Sequence, residues 1–219
     1  MRIYLSLSAN LRTIPYNYQE LLTGVIHKWI GPNNDVHGSG GKYSFSWLQN
    51  TKGRAKGIDL SIDSYFFIGS MDESLIKQII RSILFDPTMF CGIKVVDIQM
   101  KSTPAFGSEA CFHMASPVLL KIKENDRSKF VTIEDSNFER TLTESFKKRL
   151  EHLDLDSGDV SIELNTEHKL RKTKLVTYKG VSNKASVASI IIKGTPAQIA
   201  FAWSNGIGHS TGIGFGSLK

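Results

Sequence analysis

Cysteine is almost missing from this chain of 219 residues, with Cys91 and Cys111 its two examples. A pair so far apart in sequence makes neither a zinc knuckle nor a disulfide framework. The expectation is a reduced, cytoplasmic setting with both thiols buried as small hydrophobes. Long apolar runs are missing as well. None approaches the roughly 20 residues that span a bilayer. Met1 to Ser8 alternates apolar and polar residues, which reads as a strand and not as a signal peptide, so no membrane partner is expected. The patterns His-Glu-x-x-His, Gly-x-Ser-x-Gly and Gly-Lys-Ser/Thr are absent. Their absence excludes the helix-borne zinc site, the hydrolase nucleophile elbow and the ATP-binding loop, and no metal or cofactor is expected. Acid is missing from one end. From Asn165 to Lys219 the single acidic residue, Glu167, stands against eight bases, a net +7, while nineteen bases and twenty acids nearly cancel over the rest. A chain whose net +6 gathers in its last quarter points to a polyanionic partner.

Glycine is plentiful where acid is scarce. Gly206, Gly208, Gly212, Gly214 and Gly216 fall within eleven residues and alternate with Ile207, Ile213 and Phe215. Such a run offers bare N–H groups in a concave loop, a shape suited to phosphate oxygens. It equally suits a glycine-rich hairpin that ends a small β domain.

The hydrophobic pattern gives the organisation. Residues 2–9 read as a strand. A helix follows, capped by Asn17 with Glu20 at the capping-box position, and carries Leu21, Leu22, Val25, Ile26 and Trp29 toward a core until Gly31-Pro32 ends it. Strands are expected at 42–48 and 57–68, a helix from Asp72 to Leu84, and a strand at 92–101. That order is β-α-β-β-α-β, the ferredoxin-like unit. After Ser116-Pro117 a second pass begins, with strands at 118–123 and 129–132. A helix capped by Asp135 or Ser136 runs to His152, followed by strands at 159–165, 171–179 and 185–194. The last helix starts at Thr195-Pro196, and the glycine stretch leads into the last strand. The expectation is an α+β chain of two tandem ferredoxin-like (βαββαβ) domains, 1–117 and 118–219.

One region carries groups able to move protons. His27 lies off the apolar face in the last turn of the first helix, His37 sits in the polar, glycine-rich loop that follows, and Lys42 opens the next strand. Taken alone, these are two surface histidines and a solvated lysine. Against an RNA partner they are what cleavage without a metal requires. One imidazole accepts the 2′-hydroxyl proton, another protonates the leaving 5′-oxygen, and a cation stabilises the phosphorane. Lys169, Arg171, Lys172 and Lys174, in the alternation Lys-Leu-Arg-Lys-Thr-Lys-Leu, suit a strand with one charged side for phosphate contacts.

Four stretches carry a resemblance to a known family. They are Pro15-Tyr-Asn-Tyr18 with Leu21-Leu-Thr-Gly-Val-Ile-His27, Val36-His37 with Lys42-Tyr-Ser-Phe-Ser46, the Ser116-Pro117 junction, and Gly206-Ile-Gly208 with Gly214-Phe-Gly216. In this order they resemble the CRISPR repeat-RNA processing endoribonucleases of the repeat-associated mysterious protein (RAMP) superfamily, over nearly the whole chain. The resemblance implies metal-independent cleavage of CRISPR precursor RNA within its repeats, leaving a 2′,3′-cyclic phosphate and a 5′-hydroxyl. It assigns His37 and His27 as the acid–base pair and Lys42 as electrostatic stabiliser. RNA contacts are expected at Lys169, Arg171, Lys172 and Lys174 from their charge pattern, at Gly206, Gly208, Gly214 and Gly216 of the glycine signature, and at His209, which suits a solvent-facing position equally well. The partners it implies are repeat RNA, proteins of an effector complex and a second copy of the chain. Another class fits the same fold, a non-catalytic RNA-binding subunit of an effector complex, but a pure binder needs neither histidine. A basic module that binds protein fits the fold and leaves the glycine tail without a purpose.

Overall fold

The computed structural model describes residues 1–31, 41–124 and 127–219. In the first unit β1 (Arg2–Leu7) is central. It lies antiparallel between β4 (Gly57–Gly69) and the edge strand β5 (Val95–Lys101). Alternation sends Ile3, Leu5 and Leu7 to one face, where α1 (Gln19–Ile30) and α2 (Glu73–Phe85) cover them. β2 (Ser44–Phe45) and β3 (Gln49–Arg54) both pair with β4, giving the order β2-β4-β1-β5. This is the ferredoxin-like order, with its second strand broken in two.

The break has a cause that lies outside the strand. Ser46 N–H still bonds Phe67 O at 2.9 Å, but Trp47 N–H turns to Ala115 O at 3.2 Å. The single strand expected at 42–48 therefore leaves the sheet at Trp47 to meet the second half of the chain. The expected Asn17 cap is also replaced. Tyr18 occupies the N-cap of α1, without a side-chain bond. Asp72, by contrast, caps α2 by accepting from the N–H groups of Ser74 and Leu75.

The second unit repeats the plan with two inserted hairpins. Its sheet has the order β6-β12-β9, from β6 (Glu109–His113), β9 (Ser161–Leu164) and β12 (Ser189–Lys193). The C-terminal residues add a fourth position beside β6, where His113 and Lys219 exchange N–H···O bonds of 2.8 and 2.7 Å. No strand is expected from the sequence at β6, yet its Phe112 joins the second core. The hairpins are β7 (Lys121–Glu124) with β8 (Arg127–Phe130), and β10 (Lys172–Tyr178) with β11 (Val181–Val187). α3 (Phe138–His152) buries Phe138, Leu142, Phe146 and Leu150, and α4 (Pro196–Asn205) starts with a Thr195/Gln198 capping box. α3 begins after Asn137, not at Asp135 or Ser136. Neither cysteine is a buried hydrophobe: Cys91 is half-buried in a tight turn and Cys111 is exposed on β6. Among the described residues no helix is long and apolar enough to cross a membrane.

Candidate active site

The glycine-rich tail is packed between the two units. Gly206, Gly208, Gly214 and Gly216 are all buried. Two of them show why a side chain is excluded. A Cβ on Gly216 (φ +68°) would lie 1.8 Å from Ile207 O, and one on Gly214 (φ +88°) would lie 2.7 Å from the Phe45 ring. The expectation of bare N–H groups is corrected at several of these positions. Gly206 N–H bonds Ala202 O, His209 N–H bonds Leu119 O, Gly214 N–H bonds Thr211 O, and Gly216 N–H bonds Pro117 O. The loop's carbonyls are also taken. Tyr43 Oη donates to Gly212 O (2.8 Å), Gln19 Nε2 to Ile213 O (2.6 Å), and Trp47 Nε1 to Gly214 O (2.8 Å).

These bonds bring α1 and the segment around Tyr43 to the loop. Thr23 Oγ1 also reaches Ile213 O, at 3.4 Å. His27 follows Thr23 by one helical turn, so it shares the face of α1 that lines the loop, and it is half-buried. Lys42 precedes β2 and is half-buried, and its C=O accepts from Ser70 Oγ at 2.6 Å. Its neighbour Tyr43 holds Gly212 O. His37 lies outside the described residues.

Two arginines that sequence reasoning passed over organise the end of α4. A helix leaves its last carbonyls without partners. Here Trp203 O accepts from the Arg2 guanidinium, Ser204 O from Ser44 Oγ (3.1 Å) and Asn205 O from Arg149 Nη2 (3.0 Å). Arg149 also donates to Gly206 O at 2.8 Å and to Gly41 O at 3.2 Å, tying the residue before Lys42 to the glycine loop. Arg2 is fully buried, with its guanidinium 3.9 Å from the Trp203 ring centre and 4.4 Å from that of Phe67. Burial pulls both arginines down to about 10. The negative end of the helix dipole stands where a carboxylate would be expected. A signal for Arg149 existed: it follows the buried Ser145 by four residues and Phe146 by three, and so continues α3's inward stripe.

His209 is set among cations. Its Nδ1 accepts from the Lys121 N–H at 3.1 Å, which in the neutral ring leaves the proton on Nε2. Burial lowers its pKa first, and Arg149, Lys121 and Lys148 lower it further. Of the basic segment, Lys169 and Arg171 are exposed ahead of β10, with Arg171 Nη2 3.3 Å from Asn165 O. Lys172 and Lys174 share one face of β10, Lys172 exposed and Lys174 half-buried with Nζ 5.1 Å from the Trp47 ring centre. Strand alternation thus divides the four bases: Arg171 does not join the charged side formed by Lys172 and Lys174.

A search of curated proteins gave no match. Among solved structures, the product of a Cas6-related gene from Pyrococcus furiosus is 25% identical with a TM-score of 0.85, covering 100% of this chain and 97% of that one. A structure described as a RAMP protein binding different RNA substrates is 24% identical (TM-score 0.86; 100% and 98% covered), and a CRISPR-associated protein Cas6 is 24% identical (TM-score 0.82; 100% and 98% covered). Both share the tandem ferredoxin-like fold. The sequence profile for the C-terminal region of CRISPR-associated protein Cas6 matches residues 100–219, more than half the chain, and the chain therefore belongs to the Cas6 family of CRISPR-associated proteins.

Proposed function

We propose that the chain is a metal-independent endoribonuclease that cuts CRISPR precursor RNA within its repeats, in the cytoplasm. One observation carries the reading. In a chain of this family, the helix that holds His27 and the segment that holds Lys42 are both hydrogen-bonded to the glycine-rich loop, through Thr23 and Tyr43. His37 lies between them in sequence. One imidazole takes the 2′-hydroxyl proton as that oxygen attacks phosphorus. The bond from phosphorus to the 5′-oxygen breaks, and the second, protonated imidazole gives its proton to the departing oxygen. The products are a 2′,3′-cyclic phosphate and a 5′-hydroxyl. The Lys42 ammonium stabilises the charge on the phosphorane. Lys169, Arg171, Lys172 and Lys174 hold the RNA backbone, and the half-buried His209 of the glycine loop adds a further contact.

The test is incubation with CRISPR repeat RNA in excess EDTA, with analysis of the product ends. Cleavage to a cyclic phosphate is expected. Each proton transfer contributes about 10²–10⁴-fold, so His27→Ala/His37→Ala should lose cleavage and keep RNA binding. Wild-type cutting by that variant removes the proposed site. A strict need for a divalent cation overturns the mechanism, and binding without cleavage by the wild-type chain turns the reading to a non-catalytic subunit.

A further inference from the structure

A cavity of about 340 Å³ opens between the start of α1 and strand β10, well within the roughly 300–1,000 Å³ of small-ligand sites. Its walls include Tyr16, Asn17, Trp47, Lys174 and Thr177. Trp47 is half-buried, its ring held by the Nε1–H bond to Gly214 O and by an edge contact with Tyr18 at 6.1 Å. The indole therefore stands as a fixed wall. Tyr16 at the rim is 61% exposed, with its hydroxyl anchored on Arg54 O at 2.6 Å. Lys174 extends over the indole and forms no ion pair among the described residues. Glu20, the acid of α1's first turn, accepts from the Lys179 N–H instead. Partial burial and the neighbouring Lys172 lower the pKa of Lys174. An unpaired cation over a rigid aromatic face, beside a second cation, is complementary to a planar base carrying a phosphate.

We propose that this cavity is a nucleotide subsite, in which one unpaired base of the bound RNA stacks on Trp47 and its phosphate is met by Lys174 and Lys172. The ammonium stands over the ring where the base is to lie, and it swings outward to the phosphate as the base enters. Asn17 and Thr177 supply polar groups at the cavity edge. The subsite rests on the RNA-binding reading. It is separate from the cutting residues, because it lies at the start of α1 while His27 lies in its last turn.

Repeat RNA carrying single abasic positions along its length, titrated against the wild-type chain, Trp47→Ala, Trp47→Phe and Lys174→Ala, tests it. Trp47→Ala should weaken binding by roughly 5- to 150-fold, the range that base–aromatic stacking spans. One abasic position should produce the same loss in the wild-type chain and no further loss in Trp47→Ala. Trp47→Phe keeps an aromatic face and should bind within a few-fold of wild type. Intact RNA should quench tryptophan fluorescence of the wild-type chain and not that of Trp47→Phe, a comparison that does not depend on whether Trp47→Ala folds. RNA bound equally by all four proteins, with no abasic position coupled to Trp47, overturns the subsite and leaves the endoribonuclease reading intact. Failure of the wild-type chain to bind any repeat RNA overturns both.

Discussion

Two side chains in the second unit carry charge decisions that can be measured. Arg149 satisfies carbonyls on both sides of the molecule, at Gly41 and at Asn205–Gly206. Arg149→Lys keeps the charge and loses the planar fork that reaches these oxygens together. Orphaned bonds to a charged donor are worth about 1.5–3 kcal/mol, and a loss of that size is expected in urea unfolding. His209 responds to pH. Its folded-state pKa is lowered by burial and then by Arg149, Lys121 and Lys148, so folding favours the neutral ring. The stabilisation is complete above the unfolded value of about 6.5 and is lost as pH falls through the lowered folded value. His209→Gln should therefore flatten the acid limb of the stability curve. His113, also lowered by burial and by the neighbouring His168 and Lys219, should keep its own share of that limb. A phosphate at the His209 site should raise the pKa again, which a proton NMR titration of the ring with and without RNA reads directly.

Among the elements, the glycine loop is the one whose job comes from its surroundings. Gly216→Ala puts a methyl group 1.8 Å from Ile207 O at φ +68°. Left-handed backbone alone costs an L-residue about 1–2 kcal/mol, and the clash adds to it. A Cβ added on Gly212 would lie 3.4 Å from the nearest atom, Tyr43 Oη, an ordinary contact, and its φ is not positive. Gly212→Ala should stay within about 1 kcal/mol of wild type while Gly216→Ala loses more than twice that, as thermal melts will show. Equal losses would mean that the close approach does not matter. The contrast marks how far sequence reaches. The spacing of Ile76, Ile79 and Ile83, or of Phe138, Leu142, Phe146 and Leu150, encodes a helix face, because burial repeats with the helical turn. Glycine spacing encodes tolerance of positive φ and close approach, but not what approaches; here it is Phe45 and the loop's own Ile207. The broken strand at Trp47 was illegible for the same reason. Its cause is Ala115 O, nearly seventy positions away. That α1 meets the glycine loop was illegible too, because it needed Thr23 and Ile213 in contact.

Charge acts over the whole molecule. The last quarter holds the entire positive excess, and the fold spends those residues in two ways. Lys193 pairs with Glu163 at 2.9 Å, whereas Lys169, Arg171 and Lys172 remain exposed. Bases already paired release few counterions on binding RNA, and exposed ones release most. Each phosphate neutralised on a single strand contributes about 0.7 to the slope of log affinity against log salt. Replacing Lys169, Arg171 and Lys172 together by alanine should flatten that slope by about 2 and weaken binding most at low salt. Replacing Lys193 should change the slope little. His27→Ala/His37→Ala should leave the slope unchanged while abolishing product, because proton transfer makes no demand on counterions. Binding measured over a salt series separates the two functions in one experiment. An unaltered slope in the triple variant would move the RNA path off this segment and onto the cations around His209.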